Sequence, residues 1–195
     1  MIRCLPLTKP DFARRRALVT GVRALVWGLS PAAGLALAGC QGGEASALQA
    51  LPARQRQAPP AFSYTLLNGE RQHSSALQGR VVLVNFWATT CAVCVAEMPM
   101  LVATHRQFQA QGFSTLAVAM PYDPPALVAD FAGRRQLPFG VVIDPTGAVV
   151  RAFGDVQGTP SHFMLDRQGR MAAQFQGAVT AAALHPLITS LLAET

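Results

Sequence analysis

From Cys40 to the C-terminus the sequence has no lysine, and its ten arginines face nine acidic residues. The formal net charge of +6 therefore sits in residues 1–39, where Arg3, Lys9, Arg14, Arg15, Arg16 and Arg23 meet a single acid, Asp11. With no basic surface left in the remainder, the composition argues against a nucleic-acid partner. A long apolar run is also missing. The stretch from Ala24 to Gly39 is interrupted by Gly28, Pro31 and Gly34, and it is shorter than the roughly 20 apolar residues a membrane-spanning helix needs. The four histidines, His73, His105, His162 and His185, are scattered without metal-type spacing. One CxxC supplies only two of the about four ligands a zinc site requires, so no zinc site is expected. Each imidazole reads instead as a core-edge or surface group.

What the N-terminus does contain is a targeting pattern. Basic residues at 14–16, a mostly apolar stretch and then small residues read as a cleaved signal peptide over residues 1–39. Leu37-Ala38-Gly39-Cys40 resembles the bacterial lipobox, which implies diacylation of Cys40 and a lipid anchor. Arg15-Arg16-Ala17-Leu18-Val19 looks like a twin-arginine export motif; ordinary secretion stays open beside it. Gln41 resembles an outer-membrane sorting residue, with the inner membrane equally open. Residues 41–60, rich in Gln, Ala and Pro, read as a flexible tether with a root-mean-square span of roughly 25 Å. A single domain over residues 61–195 is expected to follow.

Within that domain the apolar pattern alternates between strands and helices. AFSYTLL before Asn68-Gly69 suggests a short strand, and VVLVNFW (81–87) a strand buried on both faces. Met98, Leu101, Val102, His105 and Phe108 recur at helical spacing, with Pro99 expected to kink that helix. FSTLAVAM (113–120), PPALVADFAGRR (124–135) and FGVVID (139–144) read as strand, helix and strand. SHFMLD and MAAQFQG flank a hairpin turn, and Leu184, Leu187, Ile188, Leu191 and Leu192 mark a closing helix whose Pro186 fits a first turn best. The fold class is α/β, a central mixed sheet with helices on both faces.

With Cys4 removed and Cys40 lipidated, Cys91 and Cys94 are the thiols that remain, in an oxidising compartment. Closing so short a loop removes little chain entropy, so a reactive role outweighs a stapling one. Cys91 is placed where a buried strand delivers the chain into a helix. The free N–H groups and partial positive charge at that end favour a thiolate. Cys94 follows one turn later, on the same face, and can resolve a mixed disulfide formed by Cys91.

NFWATTCAVCVAEMP together with GTPSHFMLDRQGR resembles the thioredoxin fold, and specifically the TlpA/ResA-like membrane-tethered thiol–disulfide oxidoreductases. The resemblance runs from about Ala61 to Glu194. It implies a redox-active Cys91–Cys94 disulfide, a cis Pro160 packed against it, and Thr159 presenting backbone groups to a client strand. It also implies no cofactor beyond the dithiol, a membrane thiol relay as electron donor, and clients such as apocytochrome c or copper-site assembly factors. Two positions depart from the common pattern: Thr90 stands where Trp precedes the first cysteine, and Asn85 where a buried acid moves protons. Glu97 matches a glutamate that ResA-like proteins keep near the disulfide and is the candidate proton carrier, a role that needs partial burial. Trp87 is a packing residue and a secondary candidate for substrate contact. Ala92-Val93 between the sulfurs lacks Pro, Lys and His, which points to reducing character. The alternative is a Cu(I)-binding metallochaperone on the same fold, with His162 as the added ligand. A peroxiredoxin-like peroxidase ranks third, since Cys94 stands beside what would be a lone attacking cysteine.

Overall fold

The computed structural model describes residues 48–194. Strands β1 (Ser63–Thr65) and β2 (Arg71–His73) form an antiparallel hairpin. Then follow β3 (Val81–Trp87), helix α1 (Ala92–Phe108), β4 (Phe113–Ala119), α2 (Pro125–Arg135), β5 (Gly140–Ile143), α3 (Ala148–Ala152), β6 (Ser161–Leu165), β7 (Met171–Gln176) and α4 (Ala181–Leu192). The main sheet has the order β5-β4-β3-β6-β7; β3, β4 and β5 run parallel, and β6 and β7 are antiparallel additions.

Strand β3 is central, and none of its seven residues is exposed. Val81, Leu83 and Trp87 face one core, shared with Met98 and Leu101 of α1, Val128 of α2 and Leu184, Leu187, Ile188 and Leu191 of α4. Val82, Val84 and Phe86 face the other, which the β1–β2 hairpin and α3 cover through Phe62, Tyr64, Val149 and Val150. The near-continuous apolar run of this strand thus reflects two covered faces.

Four features depart from the sequence reading. Strand β2 carries Arg-Gln-His and has no apolar signal; it is held by backbone pairing and by the Tyr64 hydroxyl donating to Gln72 Oε1 at 2.8 Å. Helix α3 follows the expected Pro145–Gly147 turn, where Asp144 Oδ2 accepts from Val149 N at 2.9 Å and Val150 N at 3.0 Å. Pro186 lies in the interior of α4, because the helix starts at the Thr180 cap. An interior proline costs about 3 kcal/mol; burying four large apolar side chains of that helix, at about 1.5–3 kcal/mol each, outweighs it.

The fourth correction concerns the tether, which ends before residue 60. Leu51 N donates to Ala172 O at 2.6 Å and Met171 N to Gln57 O at 2.9 Å, laying this segment along β7. Arg56, its side chain 3% exposed, donates to Asp166 Oδ2 at 3.3 Å and to both oxygens of Glu194, at 2.5 and 2.8 Å. The polar, Pro-rich composition hid one arginine anchored by two carboxylates. Residues 1–39, Cys40 and the tether up to residue 47 lie outside the described residues.

Candidate active site

Cys91 and Cys94 are joined by a disulfide, their Cα atoms 5.3 Å apart. Cys91 is the N-cap of α1, and its Sγ accepts from Cys94 N at 3.2 Å. A sulfur in that position meets the unpaired N–H groups at the start of a helix. Cys91 is half-buried while Cys94 is only 1% exposed, so the two sulfurs differ in access as well as in position. Ala92 and Val93 between them are exposed.

The chain reaches this point under constraint. Met120 N donates to Trp87 O at 3.0 Å and Cys91 N to Ala88 O at 3.1 Å. Asp123, buried after β4, accepts from Thr89 N and from Thr89 Oγ1, both at 2.6 Å. This carboxylate ties the loop before Cys91 to the end of the neighbouring strand. The sequence reading passed over Asp123, since only the parallel pairing of β3 with β4 brings the two loops together.

The Thr159–Pro160 peptide is cis, as the resemblance implied. Ser161, the next residue, pairs with Phe86 in the antiparallel register of β6 on β3. Thr159 and Pro160 therefore stand at the end of β3 that leads into the cysteines. Pro160 O accepts from Gly177 N at 2.9 Å, which fastens this loop to the one between β7 and α4.

Trp87 is fully buried and packs with Phe131 at a ring separation of 5.0 Å. Its side chain belongs to the same core as Cys94 and offers no surface to a client. The substrate contact assigned to it is replaced by a packing role. Glu97 is 7% exposed; its Oε1 accepts from Val179 N at 2.9 Å. Its Oε2 lies 3.4 Å from His162 Nε2, close enough for an ion pair but not aligned as a hydrogen bond. His162, expected at a core edge or surface, is instead fully buried and directly opposite Asn85 across the β3–β6 pairing. Among the described residues no three His, Cys, Asp or Glu side chains converge to hold a metal ion. His162 lies beside Glu97.

The Redoxin family profile matches residues 54–186. The chain belongs to the Redoxin family. It is 34% identical over 121 residues to the thiol-disulfide oxidoreductase ResA of Geobacillus thermodenitrificans, covering 62% of this chain and 68% of that one. The ResA of Bacillus subtilis is 31% identical over 126 residues, with 65% and 69% covered. Among solved structures, a thiol:disulfide interchange protein of the thioredoxin family from Chlorobium tepidum superposes with a TM-score of 0.65 at 26% identity, covering 73% of this chain and 99% of that one. This Redoxin member is a TlpA/ResA-like oxidoreductase of thioredoxin fold, with a Cys91–Cys94 disulfide at the start of α1.

Proposed function

We propose that the protein is a lipid-anchored periplasmic thiol–disulfide exchanger that reduces disulfides of client proteins. The observation that carries this reading is the unequal pair: an accessible Cys91 at a helix N-terminus, bonded to a buried Cys94. In the dithiol state the Cys91 thiolate attacks a client sulfur, and Cys94 displaces the client from the mixed disulfide. Thr159 and Pro160, at the same end of the sheet, are the docking element for the client strand. A membrane thiol relay returns the electrons, and Cys40 keeps the enzyme beside it. The dithiol serves in place of any bound cofactor. The uncharged Ala92-Val93 dipeptide supports the reducing direction, because it adds nothing that stabilises a thiolate further.

The test is the reduction potential of the full chain, equilibrated in graded thiol buffers. A value near about −270 mV identifies a reductant working in oxidising surroundings, and a value near about −120 mV identifies a disulfide donor. Absence of a reversible two-electron transition would overturn the exchange reading altogether.

A further inference from the structure

Glu97 and His162 meet in the core one turn beyond the disulfide. Glu97 follows Cys94 by three residues on α1, so their Cβ atoms are roughly 5–6 Å apart and share a face. One carboxylate oxygen is used by Val179 N; the other, Oε2, faces His162 Nε2 at 3.4 Å. The imidazole is fully buried and stacked on Phe175, with 4.8 Å between ring centroids and 21° between planes. Neither of its nitrogens, nor Glu97 Oε2, nor Asn85 Oδ1 forms a hydrogen bond to a protein group. Among the described residues, Glu97 of α1 is the carboxylate within ion-pair distance of the ring; β3 places Asn85 opposite it and β7 stacks Phe175 on it, while Val179 N, from the β7–α4 loop, holds the other oxygen of Glu97. A buried imidazole left without hydrogen bonds weakens a core that an apolar residue would fill at no such cost. Packing alone gives no reason for histidine here.

We propose that His162 is the charge partner that lets Glu97 take the proton from Cys94, an inference that rests on the dithiol-exchange reading above. The physical basis is the total charge of the buried pair. A carboxylate beside a neutral imidazole carries one net negative charge. One added proton turns the pair into imidazolium and carboxylate, with no net charge, which is the form burial favours. The imidazole offers the proton a second acceptor beside the carboxylate, and the carboxylate stays in place as its counter-charge. Asn85 opposite the ring adds no competing charge.

The step balances. With a client sulfur bonded to Cys91, the Cys94 S–H bond breaks and its proton goes to the Glu97–His162 pair. The freed electron pair on Cys94 forms the bond to Cys91 Sγ, while the bond from Cys91 to the client sulfur breaks. The client sulfur leaves with that bonding pair and is protonated, the pair giving its proton back to solvent. Together with the first attack, the client disulfide gains two electrons and the Cys91–Cys94 dithiol loses two. His162 touches neither sulfur; it is a positioning residue that acts through Glu97.

The test uses the reduced full chain and one equivalent of an aromatic disulfide reagent that releases a coloured thiol. Attack by Cys91 releases the first thiol, and attack by Cys94 on the mixed disulfide releases the second. Both phases are followed by stopped-flow absorbance from about pH 5 to pH 9, a range that spans imidazole and thiol titration. In H162Q the first phase is expected to match the wild type. The second phase is slowed roughly a hundredfold near pH 6 and converges with the wild type at alkaline pH, where Cys94 ionises unaided. E97Q behaves alike, and the double variant is no slower than E97Q alone. A second phase that superimposes on the wild type at every pH overturns the proposal. So does a uniform, pH-independent slowing accompanied by a lower melting temperature, which marks a structural role only. Release of a single equivalent by the wild type sinks the exchange reading itself, a different result from either. H162N is read alongside. In the wild type, the ring-nitrogen shifts of His162 must titrate differently in the dithiol and disulfide forms; identical titration overturns the proposal without any variant.

Discussion

Asn85 of β3 and His162 of β6 are direct partners in the antiparallel register, so their side chains rise from the same face of the sheet. That face also holds Trp87 and Leu83 and lies beneath α1. Glu97 descends from α1 to within 3.4 Å of the same imidazole. An uncharged residue on β3 thus coexists with a titratable pair assembled from a helix and the adjacent strand. Relative to Asn85, the group proposed to handle the proton lies one strand aside and one layer up.

The unequal exposure of the two cysteines predicts unequal phenotypes. Cys94→Ser is expected to accumulate mixed disulfides with clients through Cys91, visible as thiol-sensitive high-mass species. Cys91→Ser is expected to show none, because the remaining sulfur is buried. Equal trapping by both variants would contradict this division of roles, and trapping by Cys91→Ser alone would reverse it.

Arg56 pins the segment before β1 to the domain. Replacing it by Met leaves Asp166 with its Arg170 contacts but removes the bonds to Asp166 and Glu194. The expected loss is about 2–3 kcal/mol, read from the denaturant midpoint. Wild-type stability without a change in slope would show that the clasp contributes nothing net.

Acidification is expected to weaken the fold in two stages. Burial, helped by Arg80, holds the His105 imidazole below its usual range, so the unfolded chain takes up this proton first. Stability is full above the ordinary imidazole range and falls as the pH drops through it. The hydrogen bond from Arg56 holds the Glu194 carboxyl low. Burial pushes the Asp166 carboxyl up, yet its bonds from Arg170 and Arg56 outweigh that and leave it below the usual carboxylate range. Their contribution is present above that range and lost as the pH falls through it toward the depressed values. A melting temperature that stays flat from neutral pH to about pH 5 contradicts the first stage, and one that stays flat from there to about pH 2 contradicts the second.

Asp123 serves both the backbone and the hydroxyl of Thr89 from a buried position. Asp123→Ala strands the Thr89 N–H and is expected to cost about 2–3 kcal/mol. Asp123→Asn, which still offers an acceptor and a donor, should cost less than half of that. The ratio of the two losses, from paired denaturation curves, is the measurement. An equal loss would point to charge rather than hydrogen bonding as the source.

Membrane attachment through Cys40 predicts a clean change in fractionation. Cys40→Ser is expected to move the protein from membrane to soluble fractions while leaving disulfide exchange intact. A protein that stays with the membrane after that change is held by something else.

Much of this arrangement is legible in the residues themselves. The run VVLVNFW announces a two-sided strand, and the CxxC after it falls at a helix start because the apolar period changes there. Glu97 could be placed near Cys94 from its match to the glutamate that ResA-like proteins keep beside the disulfide. His162 could not be joined to Glu97, because that meeting depends on how β6 registers against β3 and on how α1 lies over both. Strand β2 and the Arg56 clasp left no apolar trace, being held by backbone pairing and by ion pairs between residues as far apart as Arg56 and Glu194. Pro186 misled for a related reason: its helix tolerates it through tertiary burial, which local preference does not record.

The turn between β7 and α4 is bonded twice. Gly177, whose φ of 91° suits glycine, reaches back to Pro160, while Val179 holds Glu97. The proposed docking proline and the proposed proton carrier are thereby held by one short piece of backbone. Under those proposed roles, a substitution in this turn is expected to change affinity and turnover together.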